Sequence, residues 1–287
     1  MIKAAIMGFG TIGSGVAEVL DINKKSIAAR VGDEVELKYV LDLRDFEGDP
    51  IQSKIVHDYK VIAEDPEVSI VVETMGGVEP AYTFVKTMLE AGKHVTTSNK
   101  ALVAAKGAEL IALAKEKNVN FMFEASVGGG IPIIRPLNSC LTADEIEEIT
   151  GIVNGTTNYM MTEMTEKGAD FNEVLKDAQA KGYAEKDPTA DVEGYDACRK
   201  IAILTSLVCG QQVDFEDIHT VPSPKIIFQA FEEVKPNLIV AVPLIIEKII
   251  KKSVLPKLET PAMKILLKVP IINDKIKATV SCQYFFP

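Results

Sequence analysis

The sequence predicts an α/β protein built on a doubly wound parallel sheet, and three features carry that prediction. Short apolar runs alternate with stretches of helical period from the N-terminus to about residue 124. The first run, IKAAIM at 2–7, passes directly into Gly8-Phe9-Gly10-Thr11-Ile12-Gly13. The later runs end in small, polar, glycine-rich segments, and sheets of this kind hold their ligands at the carboxyl ends of the strands.

The first strand, 2–7, is followed by a helical pattern with Ile12, Val16, Val19 and Leu20 on one face. Strand, GxGxxG and helix in that order form a dinucleotide-binding (Rossmann) turn. Its glycines let the backbone approach a pyrophosphate, and the helix N-terminus offers that charge unpaired N–H groups. A polar insertion at 21–35 precedes a second strand, ELKYVLD at 36–42, which ends in Asp42 with Arg44 two residues on. An acid there accepts from the ribose hydroxyls, whereas an arginine favours a 2′-phosphate, so both NAD and NADP stay open. Arg44 reads equally as a solvated charge in a loop. Three more strands follow at 69–73, 93–97 and 119–124, separated by helices at 79–91 and 101–117. Their ends, Thr74-Met75-Gly76-Gly77, Ser98-Asn99-Lys100 and Glu124 to Gly130, are where a nicotinamide and a small substrate would meet. Further on, 193–209 has a helical pattern with Ala197, Ile201, Leu204 and Val208 as the buried stripe and Gly210 as its C-cap. Asp196 and Lys200 stand at i, i+4 on that helix, with Glu193 on the same side. The pair reads either as an ordinary exposed ion pair or as an acid and a base facing a substrate.

Composition narrows the function classes. A net charge of -10 excludes a nucleic-acid or anionic-membrane surface as the main partner. The four cysteines lie far apart without a CxxC pair, which suits a reducing cytoplasm, and the three histidines are scattered. The opening MIKAAIMGFG reads as a strand rather than a signal peptide, and no apolar run approaches the roughly 18 residues needed to span a bilayer. Composition shifts near Thr220: residues 221–287 hold eight of the 14 prolines, no glycine, and ten lysines against five acids.

The strings GFGTIG, VVETMGG, VTTSNKALVA, FEASVGGGIPII, GIVNGTTNYMMTEM and GYAEKDPTADVEGYDACRKIAIL resemble, in order, those of the homoserine dehydrogenase family. The resemblance covers residues 2 to about 218. It implies reversible hydride transfer between L-homoserine and L-aspartate 4-semialdehyde with NAD or NADP, in threonine, methionine and isoleucine biosynthesis. The cofactor would lie against Gly8, Phe9, Gly10, Thr11, Ile12, Gly13, Arg44, Thr74, Ser98, Lys100 and Gly182. Glu185 and Asp196 would hold the substrate, Lys200 would exchange the proton, and Lys100 would touch both cofactor and substrate. A monovalent cation, sodium for instance, would bind backbone oxygens of Glu124, Val127, Gly129 and Ile131. Glu124 also reads as a strand-end acid capping nearby N–H groups. The resemblance further implies a cytoplasmic homodimer acting on a small molecule, with no nucleic-acid or membrane partner.

The expected organisation is therefore a nucleotide domain at 1–131, a partial substrate domain of α+β type at 132–220, and an unrelated tail at 221–287. The tail segment PSPKIIFQAFEEVKPNLIVAVPLIIEKI resembles an interior piece of AMP-forming long-chain acyl-CoA ligases, without their phosphate loop. A tail of that origin would leave the substrate domain's sheet open at one edge, and the chain would then be unstable, self-associated and weakly active. A truncated dinucleotide binder, another Rossmann reductase of aspartate-derived metabolites and an adenylate-forming ligase are the competing readings.

Overall fold

The computed structural model describes residues 1–149 and 151–218. The tail expected from residue 221 lies outside the described residues. Two compact units are present, one of residues 1–149 and 189–218, the other of residues 151–188.

The first unit begins β1 (Ile2–Met7), α1 (Thr11–Ile22), α2 (Lys24–Val31), β2 (Val35–Leu41), β3 (Ile55–Val56), α3 (Tyr59–Glu64) and β4 (Val68–Glu73). It continues with α4 (Ala81–Glu90), β5 (His94–Thr97), α5 (Lys100–Glu116), β6 (Phe121–Met122) and α6 (Ile134–Ser139). The strands form one parallel sheet in the order β3-β2-β1-β4-β5-β6. The chain winds outward from β1 to one side, then crosses to β4 and winds to the other. This reversal leaves a crevice beyond the carboxyl ends of β1 and β4, which is where such sheets bind ligands. Pairing of Met7 with both Leu41 and Glu73 sets those ends level.

Both faces of the sheet are covered, which explains why β1 is apolar at consecutive positions. Ala5 and Met7 face a core shared with Ile62, Val85, Met88, Leu102 and Leu110 of α3, α4 and α5. Ile6 turns the other way, joining Leu37 and Val40 under α1. Fully burying a side chain of this size stabilises the fold by roughly 2 kcal/mol.

In several places the structure departs from the sequence pattern. On α1 the packed face is Gly13, Val16, Ala17 and Leu20, while Ile12 and Val19 are more than half exposed. Gly13 must face the turn it follows, and that requirement rotates the helix away from the most apolar stripe. The polar stretch at 21–35 contains the helix α2, closed by Gly32 in a left-handed conformation. The last strand is two residues long, because Glu124 opens a 3-10 turn that carries the chain out of the sheet.

The second unit is helical among its described residues, with α7 (Gly155–Lys167) packed on α8 (Phe171–Ala180) around Met160, Val174, Ala178 and Ala184. Asn154 begins α7: its Oδ1 accepts from the Thr157 backbone N–H at 2.8 Å and the Thr157 hydroxyl at 2.7 Å. The chain then returns to the first unit through α9 (Thr189–Val192) and α10 (Tyr195–Cys209). Gly194 and Gly210, both left-handed, bound α10, so Glu193 lies before the helix rather than on it. Of the expected stripe on α10, Leu204 is buried, whereas Ala197, Ile201 and Val208 are half-buried. The helix meets Val103 and Ala104 of α5 through Ile203, Leu204 and Leu207, and that contact chooses its buried face.

Gly13 admits a direct test. A Cβ there would collide with the Gly8 carbonyl oxygen and come within 2.9 Å of Thr74 Oγ1. Gly13→Ala is expected to cost about 2 kcal/mol, seen as a lower urea midpoint at unchanged slope. An unchanged midpoint would contradict the packing described.

Candidate active site

The glycine turn is held by its neighbours before any ligand arrives. Gly8 sits at φ +95°, where a Cβ would press on Met75 and Thr74, and the Thr74 hydroxyl donates to the Gly8 carbonyl at 2.8 Å. Gly10 caps α1 without a side-chain partner for the first-turn N–H groups, and that turn carries no acid. Thr11 and Ile12 are exposed beside it. A pyrophosphate is the charge such a helix start accepts.

Asp42, at the end of β2, draws the turn toward Arg44. Its carboxylate accepts the Phe9 N–H at 2.9 Å and both Nε and a terminal nitrogen of Arg44, at 2.9 and 3.0 Å. Arg44 also donates to the Phe9 carbonyl at 2.9 Å. The Arg44 guanidinium, above all, holds the Asp42 carboxyl far below the usual carboxylate range against the opposing effect of burial. Acid and arginine thus act as one unit here. Arg44 is neither a free solvated charge nor a cation open on every side, although its side chain is 62% exposed.

Beyond β4 and β5, Thr74 and Ser98 occupy adjacent loops: Thr74 N–H donates to the Met7 carbonyl at 2.9 Å, and Ser98 N–H to the Glu73 carbonyl at 3.4 Å. Asn99 caps α5 by accepting the Leu102 N–H at 3.1 Å, which places Lys100 as the first residue of that helix. Lys100 Nζ reaches Asp196 Oδ1 on α10, and Lys200 Nζ lies 2.8 Å from Asp196 Oδ2. The Asp196 side chain is 4% exposed, Lys200 14% and Lys100 41%. The i, i+4 pair is therefore not an exposed helix pair. It is a buried carboxylate between two ammonium groups, one from its own helix and one from α5, 96 residues before it in sequence.

The Glu124 carboxylate accepts three backbone N–H groups, from Ile133, Ile134 and Arg135, at 2.6 to 2.8 Å. Burial pushes its carboxyl up, but these donors outweigh it and leave the group below its ordinary value. The carboxylate caps the loop, as its strand-end position allows. The turn between doubles back so tightly that a Cβ on Gly128 would collide with the Ile131 carbonyl oxygen. The backbone oxygens of Val127, Gly129 and Ile131, expected to hold a monovalent cation, belong to this turn.

Gly182 and Glu185 belong to the second unit. Gly182 is left-handed at φ +75° just after α8, and the segment behind it is pinned. Thr156 Oγ1 donates to the Tyr183 carbonyl at 2.7 Å, and the Gln179 amide to the carbonyl of Glu185 at 3.0 Å. Of the expected site residues, Lys100, Asp196 and Lys200 come together, and Thr74 adjoins the Gly8–Gly13 turn. Glu73 was missed by sequence reasoning. It is fully buried at the end of β4, and an acid closing the apolar run SIVV was the signal that could have found it.

Two family models match the chain. One, described as the homoserine dehydrogenase NAD binding domain, covers residues 8–124, and the other, described as homoserine dehydrogenase, covers residues 132–254. The second match runs past Thr220 into the segment expected to be unrelated. A homoserine dehydrogenase of Bacillus subtilis is 44% identical over 222 residues, spanning 76% of this chain and 51% of its own. That of Pseudomonas aeruginosa is 44% identical over 220 residues, again with 51% of its length covered. The chain thus spans about half the length of the curated relatives it matches. Among solved structures, a homoserine dehydrogenase from Thiobacillus denitrificans superposes with a TM-score of 0.74 at 40% identity, over 82% of this chain and 55% of that one. A putative homoserine dehydrogenase from Archaeoglobus fulgidus gives 0.70 at 32% identity, over 81% of this chain and 77% of that one.

Asp42 yields a pH-dependent expectation. Because its folded carboxyl titrates far below the unfolded value, the unfolded chain takes up the proton first. Its contribution to stability is present above the unfolded value, about pH 4, and is lost as pH falls further. Asp42→Asn is therefore expected to lower the melting temperature at pH 7, by a margin that shrinks as pH falls below about 4. A margin constant with pH would show that the carboxylate's charge does not hold the turn.

Proposed function

The chain belongs to the homoserine dehydrogenase family, and from that premise we propose that it interconverts L-homoserine and L-aspartate 4-semialdehyde with NAD or NADP. The observation that carries this reading is the buried Asp196 carboxylate shared by Lys100 and Lys200 at the carboxyl end of a dinucleotide-binding sheet. Oxidising a hydroxyl group by hydride transfer requires a group that takes the hydroxyl proton, and reducing the aldehyde requires one that returns it. Lys200, oriented by Asp196, is that group. As an ammonium it gives a proton from Nζ to the carbonyl oxygen, and as the amine so formed it takes the proton back in the reverse direction.

A bound nicotinamide would supply or accept the hydride. The residues that receive its cofactor are the N–H groups of the Gly8–Gly13 turn at the pyrophosphate, Arg44 and Asp42 at the adenosine ribose, and Thr74 and Ser98 at the nicotinamide end. Gly182, by its place in the family motif, would approach the cofactor. Lys100, the more exposed of the two lysines, would contact cofactor and substrate. Asp196 would take the substrate's ammonium, and the family motif assigns Glu185 to substrate as well. This role requires Asp196 to exchange one lysine contact for the substrate, and the accessibility of Lys100 favours that lysine as the one that gives way.

Backbone carbonyls of Glu124, Val127, Gly129 and Ile131 would hold a monovalent cation, whose charge would fix the turn that Glu124 caps from outside. The family match through residue 254 favours a continuous family chain over a foreign tail beyond Thr220. A small amino acid as substrate, and no helix among the described residues long and apolar enough to cross a membrane, support a cytoplasmic enzyme. Its partner would be a second copy of the chain, as the family resemblance implies.

The test is homoserine-dependent formation of NADH or NADPH, followed by absorbance, with Lys200→Ala beside the parent chain. The variant is expected to lower kcat by about a hundredfold or more while the cofactor dissociation constant stays within twofold, as removal of a proton-transfer group does. Equal losses in turnover and cofactor affinity would assign Lys200 to binding instead.

A further inference from the structure

Glu73 is fully buried, yet the reaction just described makes no use of it. Burying a carboxylate is costly unless its oxygens are satisfied, and in a parallel strand an apolar residue would pack at least as well. Both oxygens are engaged here. Oε1 accepts the Met75 N–H at 2.7 Å, within the loop that follows β4, and Oε2 accepts the Thr97 hydroxyl at the end of β5. The Thr97 oxygen in turn accepts the Asn99 N–H at 2.9 Å. Asn99 donates its amide to the Gly77 carbonyl at 2.7 Å and caps the helix that begins with Lys100.

These bonds form a closed path. It runs from Glu73 to Met75 on one side, from Glu73 through Thr97 to Asn99 on the other, and returns from Asn99 to Gly77. The path joins the loop carrying Thr74 to the loop carrying Ser98 and Lys100. Neighbouring parallel strands pair along their lengths, but their pairing stops at Glu73 and Thr97. Beyond that point side chains must set the distance between the loops.

We infer that Glu73 is a positioning residue, whose buried carboxylate fixes the two strand-end loops so that they can receive the nicotinamide end of a dinucleotide and present Lys100 beside it. The inference rests on the reading above that these loops bind that end of the cofactor. Glu73 touches neither cofactor nor substrate and acts through Met75, Thr97 and Asn99. The adenosine end, bound at Gly8–Gly13 and Arg44, lies outside this path, so the two ends of the cofactor respond differently to its loss.

The experiment compares binding of a whole reduced dinucleotide with binding of its fragment lacking nicotinamide. The full chain is titrated with NADH or NADPH, whichever binds more tightly, and with ADP-ribose or its 2′-phosphate to match. Glu73→Gln removes the charge with little change of shape, and Thr97→Val breaks the same path while leaving the carboxylate in place. Each variant is expected to weaken dinucleotide binding about tenfold, the loss of one hydrogen bond to a charged group, with fragment binding unchanged within twofold. Equal weakening of both ligands would reduce Glu73 to general support of the fold and overturn the inference. So would unchanged binding in a folded variant, or failure of both variants to fold. A parent chain that binds neither ligand would refute the dinucleotide reading itself, a failure distinct from one confined to the variants.

Discussion

A single buried carboxylate, Asp196, couples the two parts of the first unit that sequence separates most widely. α5 belongs to the sheet's own layer, whereas α10 arrives after the chain has built the second unit. Ile203, Leu204 and Leu207 hold α10 against α5, but apolar contact does not prescribe which residues stand opposite each other at the helix ends. The ion pairs do. Removing one partner from a buried ion pair typically costs about 3–5 kcal/mol, because it strands a charge in a poor solvent. The exposure of Lys100 tempers that figure on its side of the carboxylate.

The same economy governs the sheet's carboxyl end. Topology opens a crevice where strand order reverses, and polar side chains then hold the loops that line it. Thr74 supports the glycine turn, Asp42 and Arg44 tie that turn to β2, and Glu73 ties the loop after β4 to the loop after β5. Thr74 and Asp42 bond the backbone of a neighbouring loop, and Glu73 bonds the backbone of its own loop and the Thr97 hydroxyl across the sheet. The apolar layers beneath provide the stability that lets the rim be polar and shaped in advance of a ligand.

Much of this was legible in the sequence because two periodicities and one turn motif carry it. Strand-helix alternation located β1, β2, β4 and β5 to within a residue or so, and the glycine motif spans the junction of β1 and α1 as expected, with Gly8 and Gly10 between the two and Gly13 in the first turn of α1. What the pattern hid follows from competing demands. On α1, contact of Gly13 with the glycine turn outweighed the burial of Ile12 and Val19. On α10, packing on α5 moved the buried face away from Ala197, Ile201 and Val208. β6 is short because Glu124 leaves the sheet to cap a loop, a choice that alternation cannot reveal. The ion pair of Lys100 with Asp196 was beyond periodicity altogether, since it joins helices that only the tertiary fold brings together. Motif resemblance pointed to the residues, and the structure supplied the contact.

The account stands most directly on Asp196 and Lys200 working as one unit in the reaction. The decisive measurement is the turnover of homoserine by Asp196→Ala, by Lys200→Ala and by the double variant, against the parent chain. If the carboxylate acts by holding the lysine in place, the double variant loses no more than about what the worse single variant loses. Losses that multiply, or a parent chain without homoserine-dependent turnover, would contradict the account.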